Sequence, residues 1–352
     1  MRILTFSGSP LEMGRAFGET CREAIQQFYE IRVRIAIEQA LVYGGRTIDE
    51  NTVLEAATAC LKPTEEYHPE GFEELAGIAE GSGLSTAQIL ALNGLTDLRD
   101  YVAWSGKADE CSAFVVAGDK TADGQLICGQ TWDLATNNMP FVLGVHRIPD
   151  NGPQTWTMTT VGCLSLIGLN SEGIAVGTTN VRTTDAKPGV VYLSILHKML
   201  AQTSIEDAID CVEDAPRASG HFYFVADAQG KGAAMECTGS QYDLTQVNEG
   251  IYVHCNHCLI PAHQAFEGPE PSSSSLHRTS RLQHLFEEHP ERNDCQAARD
   301  YLADTDGGED AICRDDPEGV SSNGAVVMVP STGSIRACHG PPNRSEWVDL
   351  KG

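Results

Sequence analysis

The sequence changes character at Asp109-Glu110-Cys111-Ser112-Ala113-Phe114-Val115-Val116-Ala117-Gly118, which continues through a turn to Gly129-Gln130-Thr131-Trp132-Asp133. Small, aromatic and β-branched residues over 112–117 favour a strand. The polar segment 119–124, with Asp-Gly at its end, is typical of a turn, and an apolar strand resumes at 125–129. We therefore predict a β-hairpin that brings Cys111, at the start of one strand, close to Asp133, at the end of the other.

The elements around this hairpin predict an α+β protein. Before residue 106 the apolar spacing is mostly helical, and after Cys111 it alternates with period two. The predicted helices cover 8–43, 49–61, 69–81, 85 onwards, 191–202, 204–214, 275–289 and 294–304. The predicted strands cover 112–118, 125–131, 142–148, 154–160, 163–169, 174–180, 221–227, 233–238, 241–247, 250–254, 324–329 and 334–339. Two sheets with helices on their outer sides satisfy this order.

Composition excludes several classes of function. The 352 residues carry a formal net charge of −25, which disfavours nucleic acid and anionic membrane surfaces as partners because both require clustered Lys and Arg. No run of 18 apolar residues is present, and the first residues do not have the pattern of a signal peptide. We expect a cytoplasmic protein whose 12 cysteines are mostly reduced core residues.

Cys111 is the strongest candidate for a nucleophile, but it needs a base. One hypothesis uses a histidine, with His221, His254 and His257 as candidates, in an uncleaved Cys-His hydrolase. A second needs no histidine. If the Glu110–Cys111 bond were cut, the new α-amino group, with a pKa of about 7.7–8.0, would lie beside its own thiol and suit a general base near neutral pH.

Five motifs in one order resemble a known family. They are Cys111 at the start of a strand, Gly129-Gln130-Thr131-Trp132-Asp133, the 168–176 segment around Asn170-Ser171-Glu172-Gly173, His254-Cys255-Asn256-His257-Cys258-Leu259, and Ile312-Cys313-Arg314. Together they resemble the acyl-coenzyme A:6-aminopenicillanic acid acyltransferase (isopenicillin N acyltransferase) family of N-terminal nucleophile hydrolases. That family is related more distantly to bile salt hydrolase and penicillin V acylase. The resemblance implies a four-layer αββα sandwich with an N-terminal helical segment.

The resemblance also implies roles for individual residues. Cys111 would be the nucleophile, and Glu110-Cys111 the cleavage site that divides a helical α piece (1–110) from a catalytic β piece (111–352), which stay together as a heterodimer. Asp133 would orient the new amine, Asn256 and Asn180 would stabilise the oxyanion, and Arg314 would stabilise the thiolate. Gln130 departs from bile salt hydrolases, which carry Arg there, and matches the penicillin-type pattern. We assign Trp132, His257 and Glu236 to the substrate pocket.

The implied activity is that of a self-processing amidohydrolase or acyltransferase. It would cleave or transfer the acyl group of a small N-acyl amide through a thioester on Cys111. No cofactor is predicted, and use of coenzyme A stays open because no basic cluster marks a site. A higher oligomer also stays open.

Structural interpretations of the same residues stand beside these. Asp133 could cap a turn, Asn256 could be a turn residue and Arg314 could form a surface ion pair. A non-catalytic or metal-binding member of the fold, with His254, His257 and Cys258 as ligands, is a further alternative. We predict no metal, because adjacent strand residues point to opposite faces and no fourth ligand stands out.

Overall fold

The structure is a computed structural model that describes residues 1–102, 110–268 and 272–352. The predicted change from helix to strand near 106–111 therefore lies partly outside the described residues. The helices in these ranges are α1 (Pro10–Thr20), α2 (Arg22–Gly44), α3 (Glu50–Tyr67), α4 (Pro69–Ser82), α5 (Thr86–Asn93), α6 (Leu95–Val102), α7 (Tyr192–Leu200), α8 (Ile205–Glu213), α9 (Pro261–Gln264), α10 (Ser273–Glu288) and α11 (Cys295–Leu302).

The strands are β1 (Ile3–Gly8), β2 (Ala113–Ala117), β3 (Ile127–Ala135), β4 (Val142–Pro149), β5 (Thr155–Thr160), β6 (Ile167–Asn170), β7 (Ala175–Asn180), β8 (His221–Ala226), β9 (Gly232–Cys237), β10 (Tyr242–Gln246), β11 (Gly250–His254), β12 (Val320–Val329), β13 (Ser334–His339) and β14 (Trp347–Asp349). They form two sheets, with strand orders β1-β4-β5-β6-β7-β8-β9-β10 and β11-β2-β3-β12-β13-β14. β1 pairs in parallel with β4, and the other neighbouring strands of the described ranges pair antiparallel.

The two sheets pack face to face between helices. Successive residues of β2 point to opposite sides. Phe114 and Val116 pack against α10, with the Phe114 and Phe286 ring centroids 4.8 Å apart. Ala113 and Val115 belong to the inner core. Helices α7 and α8 cover the eight-stranded sheet, and α10 and α11 cover the six-stranded sheet. The predicted α+β class with its αββα layers and N-terminal helical region is confirmed.

Gln130 joins the two sheets across the inner core. Its side-chain amide donates to the Thr178 carbonyl oxygen at 2.7 Å, and its amide oxygen accepts from the Thr178 N–H at 2.6 Å. Gln130 lies on β3 and Thr178 on β7, so the pair bridges the six-stranded and eight-stranded sheets. Both residues are buried. Gln130, the residue that departs from the bile salt hydrolase pattern, therefore links the two sheets through hydrogen bonds.

The N-terminal helices pack at backbone distance through glycines. A Cβ atom added to Gly14 of α1 would lie 2.1 Å from the carbonyl oxygen of Glu74 on α4. One added to Gly18 would lie 2.5 Å from the carbonyl oxygen of Ile78. Added to Gly77 or Gly81 of α4, it would lie 2.3 Å from a carbonyl oxygen of α1 in each case. Only glycine permits such a close approach of two helix backbones. The spacing of four residues within each pair places both glycines on one face of their helix.

The structure differs from the sequence prediction at several boundaries. The predicted helix over 8–43 is divided at Cys21, whose ψ of 15° is not helical, and strand β1 precedes it. The third strand of the chain, β3, extends through Asp133 to Ala135, so Asp133 is a sheet residue. The short strand β14 is absent from the sequence prediction. Helix α5 begins with a capping box, in which the Gln88 N–H donates to Ser85 Oγ at 3.3 Å and the Ser85 N–H donates to the Gln88 side chain.

Candidate active site

Strand pairing brings Cys111 and Asn256 together. Cys111 precedes β2 and Asn256 follows β11, and these two strands are neighbours with Ala113 opposite His254. The Cys111 backbone N–H donates to Asn256 Oδ1 at 2.7 Å. Asn256 Nδ2 donates in turn to the Asn180 carbonyl oxygen at 2.9 Å. Three of the predicted site residues therefore form one connected group around the amide of the Glu110–Cys111 bond.

Arg278 of α10 is at the centre of this group, and the sequence analysis did not predict it. Its guanidinium donates to the Cys111 carbonyl oxygen, to Ser112 Oγ at 3.1 Å and to Asn256 Oδ1 at 3.1 Å. The side chain is fully buried. Its Nε donates to Ser274 Oγ, one helical turn earlier. The sequence shows that Ser274 and Arg278 are four residues apart and so share one face of a helix. A single sequence does not reveal that this face meets the site.

The Glu110 carboxylate lies between two arginines. It forms an ion pair with Arg314, accepts a hydrogen bond from Ser274 Oγ at 2.7 Å, and lies 3.7 Å from Arg278 Nη2. The resemblance implied that Arg314 would act on the thiolate. The structure places its guanidinium on the side chain that precedes Cys111. The residue on the acyl side of the predicted cleavage site is thus firmly held.

Asp133 lies opposite Glu110. The Glu110 backbone N–H donates to the Asp133 carbonyl oxygen at 3.1 Å. The Asp133 side chain is completely buried and accepts from Thr131 Oγ1 at 3.2 Å, while its Oδ1 has no hydrogen-bond partner in the described ranges. Burial raises the pKa of its carboxyl to about 7, although Arg278 lowers it in part. In the uncut chain the Cys111 N–H is bonded to Asn256, so the role of Asp133 toward a free amine stays a prediction.

A small cavity lies beside Cys111. Its volume is about 20 Å³, and its walls include Arg32, Trp132, Asn180 and His221. This is space for a single water molecule. The side-chain amide of Asn180 is buried and has no hydrogen-bond partner among the residues that the structure describes. Trp132 and Asn180, both predicted site residues, therefore share a cavity with the candidate nucleophile.

Glu236 and His257 do not line this cavity. Glu236 is buried beneath the loop that carries Asn256, where it accepts from the Leu259 and Ile260 N–H groups at 2.6 and 3.1 Å. It also contacts His254 Nε2 at 3.1 Å and His263 Nδ1 at 3.0 Å. His257 Nδ1 lies 2.7 Å from Ser275 Oγ. Both predicted pocket residues hold the Asn256 loop in place.

The three candidate histidine bases differ in position. His254 is fixed between Glu236 and Thr179, and His257 is bonded to Ser275. His221 lines the cavity of Cys111. Burial lowers the pKa of His221 to about 3, and neither ring nitrogen has a hydrogen-bond partner in the described part of the chain.

In the described part of the chain, no group of three or more His, Cys, Asp or Glu side chains is arranged to hold a metal ion.

Sequence comparison defines the class of protein to which this site belongs. Residues 120–339 match the family described as acyl-coenzyme A:6-aminopenicillanic acid acyl-transferase. That match covers more than half of the chain, and the chain belongs to this family. The predicted family is confirmed.

Two relatives are similar along much of the sequence. The acyl-coenzyme A:6-aminopenicillanic-acid-acyltransferase 40 kDa form of Emericella nidulans is 26% identical over 295 residues, which cover 81% of this chain and 77% of that protein. An uncharacterized protein of Archaeoglobus fulgidus is 26% identical over 268 residues, which cover 68% of this chain but 44% of that protein. The second relative is therefore much longer than the shared region.

Two solved structures are similar to this chain at low sequence identity. A mutant form of conjugated bile acid hydrolase from Clostridium perfringens has a TM-score of 0.48 and 12% identity, covering 69% of this chain and 94% of that one. Penicillin V acylase from Agrobacterium tumefaciens has a TM-score of 0.47 and 15% identity, covering 68% of this chain and 86% of that one.

Among the described residues, no helix is both long and apolar enough to cross a membrane.

Proposed function

We propose that this protein is a self-processing cysteine amidohydrolase or acyltransferase that uses Cys111 as an N-terminal nucleophile. One observation carries the proposal: the peptide group before Cys111 is held from several sides. Asn256 accepts from its N–H, Arg278 donates to the next carbonyl oxygen, and Arg314 binds the Glu110 side chain. Such fixation of a peptide group and its neighbours suits a bond that is itself the first substrate.

The first step would cut the chain into residues 1–110 and 111–352. The Cys111 sulfur attacks the carbonyl carbon of Glu110, the carbon–nitrogen bond breaks, and the Cys111 nitrogen receives the thiol proton. Water then hydrolyses the thioester, which leaves a carboxylate on Glu110 and an α-amino group on Cys111. Asn256 Oδ1, which already accepts from this nitrogen, is suited to hold the departing amine.

The second use of the thiol would be turnover of a small N-acyl amide. The new α-amine, with a pKa of about 7.7–8.0, takes the thiol proton, and the thiolate attacks the substrate carbonyl. Asn256 Nδ2 carries two N–H groups, so one can remain on the Asn180 carbonyl oxygen while the other meets the oxyanion. The unpartnered side-chain amide of Asn180 is a second candidate donor. The acyl-enzyme is resolved by water or by an acceptor amine.

The other predicted residues would support this chemistry indirectly. Asp133 would orient the amine once the chain is cut, and Arg278 would fix Asn256 relative to Cys111. Arg314 would first hold Glu110 and, after cleavage, add positive charge near the thiolate. The relative from Emericella nidulans is named as an acyltransferase on 6-aminopenicillanic acid. That name supports the transfer of an acyl group to an amine, or its removal from an amide, here.

The competing function is a Cys-His hydrolase that acts without cleavage. It is favoured by one observation, that His221 lines the same cavity as Cys111. However, burial lowers the pKa of His221 to about 3, and so weak a base is poorly matched to a thiol near neutral pH. We therefore prefer the α-amine as the base.

Intact mass spectrometry of the purified protein tests the proposal. Wild-type protein should yield two pieces, and the larger should begin Cys-Ser-Ala-Phe on N-terminal sequencing. Cys111→Ala should remain one chain and turn over no N-acyl amide, because it has no thiol for either step. Cys295→Ala is the matched control, since Cys295 is a half-buried thiol on α11 and its loss should change neither result. A single active wild-type chain would favour the Cys-His hydrolase instead.

A further inference from the structure

A second cavity, of about 260 Å³, is separate from the one beside Cys111. Its walls come from the start of α1, the first turns of α4, the β4–β5 hairpin and the end of α7, and the two cavities share no lining residue. Two of its lining residues, Thr155 and His68, are 7% and 6% exposed. Thr155 Oγ1 and His68 Nδ1 have no hydrogen-bond partner among the described residues. Buried polar atoms are normally paired, so these two require an explanation.

An ion pair whose charges are already balanced forms one wall of this cavity. Arg147 Nε of β4 donates to Glu74 of α4 at 2.8 Å, and Nη1 and Nη2 donate to Thr157 Oγ1 and the Cys163 carbonyl oxygen, each at 3.3 Å. Burial would raise the pKa of Glu74, but Arg147 and His197 outweigh it and lower the pKa to about 2. The guanidinium of Arg147 is therefore neutralised by a carboxylate of its own and does not call for an anionic ligand.

The other charges that line the cavity are negative. Glu70 of α4 and Asp150 of the β4–β5 hairpin are exposed lining residues, and neither forms an ion pair within the described ranges. Burial lowers the pKa of His68 to about 3, so its ring is uncharged near neutral pH and one of its two nitrogens is an acceptor. The hydroxyl oxygen of Thr155 can accept as well. This set of groups favours a ligand that is positively charged and donates hydrogen bonds.

Apolar side chains make up much of the remaining wall, and they are Pro10, Met13, Pro149, Pro153 and Ala201. An organic cation gains from such a wall because its carbon atoms leave water, whereas a hydrated metal ion does not. At about 30 Å³ for each water-sized group, the cavity has space for roughly eight non-hydrogen atoms. The size and the lining together indicate a small amine.

We propose that this cavity binds a small organic cation, a primary amine whose apolar group has up to about seven carbon atoms. Thr155 Oγ1 and His68 would accept hydrogen bonds from the ammonium group, Glu70 and Asp150 would supply the opposite charge, and Met13 would contact the carbon atoms. The inference goes beyond the proposed function and does not depend on cleavage of the chain or on the thiol.

The cavity spans the two predicted pieces of the chain. Met13 and His68 precede the predicted cleavage site, whereas Arg147 and Thr155 follow it. A ligand in this cavity contacts both parts of the sequence at once. Because such a ligand binds only the folded arrangement, it should raise the temperature of unfolding as its concentration rises.

The test uses the uncut Cys111→Ala protein and three probes of similar shape and different charge. Cyclohexylmethylamine is the cation, cyclohexylmethanol the neutral analogue and cyclohexanecarboxylate the anion. In ligand-detected NMR titrations the amine should bind at least about tenfold more tightly than the alcohol, and the carboxylate should bind most weakly. The cavity beside Cys111, of about 20 Å³, is too small to admit any of the three probes.

Thr155→Val tests the buried hydroxyl. Valine keeps the shape of threonine, and Thr155 Oγ1 has no partner to lose among the described residues, so the free energy of unfolding should stay the same or rise. The amine should nevertheless bind at least about tenfold more weakly, the effect of one hydrogen bond to a charged group. Lower stability with unchanged affinity for the amine would mean that Thr155 is only structural and would contradict its part in the site.

Surface variants locate the bound amine. Glu70→Gln should weaken binding of the amine about threefold, the effect of one exposed charge. Glu73→Gln is the matched control, because Glu73 is exposed on the same helix, does not line the cavity and changes the net charge equally. Ala201→Trp, which fills the cavity from the exposed end of α7, should abolish binding, and thermal unfolding of each variant confirms that it is folded.

Three results would overturn the proposal. They are equal affinity for the amine and the alcohol, no binding of the amine up to about 10 mM, and binding that persists in Ala201→Trp. Each of them leaves the proposed function intact, because Cys111→Ala neither cleaves itself nor turns over substrate. Conversely, a wild-type chain that is never cut contradicts the proposed function and leaves the amine site intact.

Discussion

Arg278 connects more parts of the candidate site than any residue that the sequence analysis selected. It reaches the backbone of Cys111, the hydroxyl of Ser112 and the amide oxygen of Asn256, and it is fully buried. A neutral replacement would leave these acceptors without their charged donor. Because Arg278 contacts Asn256 and the residue after the cleavage site, its replacement should slow self-cleavage in addition to destabilising the fold.

Arg278→Gln should slow the appearance of the cut chain at least about tenfold and reduce the free energy of unfolding by about 3–5 kcal/mol, the usual cost of breaking a buried charged network. Time courses on denaturing gels and urea unfolding measure the two effects. Arg281→Gln is the control on the same helix. Arg281 pairs with Asp304 and is partly exposed, so its loss should cost about 1 kcal/mol or less and leave cleavage unchanged. Normal cleavage in Arg278→Gln would contradict its positioning role.

Asp133 predicts a pH dependence of stability. Burial raises the pKa of its carboxyl to about 7 in the folded chain, against about 3.9 when unfolded. The protonated carboxyl therefore contributes stability that is fully present below about pH 4 and is lost as the pH rises through 7. Asparagine keeps the shape of Asp133 without the charge, so it should avoid this loss.

We expect Asp133→Asn, made in the uncut Cys111→Ala background, to gain stability relative to Cys111→Ala alone as the pH rises from 5 to 8. The gain between pH 5 and pH 8 should approach roughly 2.5–3 kcal/mol, because about two pH units of that range lie between the two pKa values and each is worth about 1.4 kcal/mol. Urea unfolding of both proteins at each pH measures the difference in their free energies of unfolding. The titration of groups that both proteins share cancels in this difference. A difference that is constant from pH 5 to 8 would mean that Asp133 is ionised throughout.

The site residues that lie beside strands could be predicted from the sequence. The site residues on helices could not. Cys111 and Asn256 could be placed together because each flanks a strand in a recognisable motif. Arg32 and Arg278 lie among the charges of helical segments, where an arginine on the buried face cannot be distinguished from one in solvent. Asp133 was expected near Cys111, and the register in which β2 and β3 pair Ala113 with Gln130 places it opposite Glu110, the residue before Cys111.

At the scale of elements, the loop after β11 depends on a strand of the other sheet. Glu236 of β9 accepts hydrogen bonds from His254 and His263 and from the backbone N–H groups of Leu259 and Ile260. Burial alone would raise the pKa of this carboxyl, but the hydrogen bonds from His254 and the loop outweigh it and lower the pKa. The position of Asn256 is therefore fixed by a carboxylate that never touches it.

Glu236→Gln should reduce stability by about 1.5–3 kcal/mol, the contribution of hydrogen bonds to a charged group, and should slow self-cleavage because the Asn256 loop loses its anchor. Thermal unfolding and cleavage time courses provide the measurements. The matched variant is Asp243→Asn on β10, since Asp243 lies 3.5 Å from His263 but is half exposed. If both variants cleave at the wild-type rate, Glu236 acts only on stability.

Element order was largely predictable, whereas the ends of the chain were not. Helices α8 and α11 begin after the capping residues Ser204 and Asp294, and alternating apolar residues marked the central strands. β1 has six residues and β14 has three, and both lie at the edges of their sheets. Three residues are too few for an alternating pattern to be recognised in β14, and β1 pairs in parallel with β4, so no hairpin turn marks it in the sequence.

At the scale of the whole molecule, the two predicted pieces form a single structure. The α piece contributes β1 to the eight-stranded sheet, and its helices carry much of the inner core. Cysteines add no covalent link, because none of the twelve, all in the described ranges, forms a disulfide. Association of the pieces would depend on strand pairing and packing.

We expect the cut protein to elute from a sizing column as one species that contains both pieces, because separating them would expose the apolar surface of the shared core. The pieces should separate only in the same urea range that unfolds the sheets, observed by circular dichroism on the same samples. Uncut Cys111→Ala should elute at the same volume. Elution of the pieces as separate species in buffer would contradict a heterodimer.

The pairing of β1 with β4 has a consequence for where the α piece is tethered. Ile3 to Gly8 hydrogen-bonds to the β piece close to the amino end of the chain, whereas the predicted cut lies after residue 110, at the opposite end of the same piece. Cleavage would therefore leave a new carboxyl end at Glu110 that is held by Arg314 and Ser274 and by one backbone hydrogen bond to Asp133. Breaking these contacts would let the new end leave the thiol, while the strand pairing and the packed helices keep the fragment on the protein.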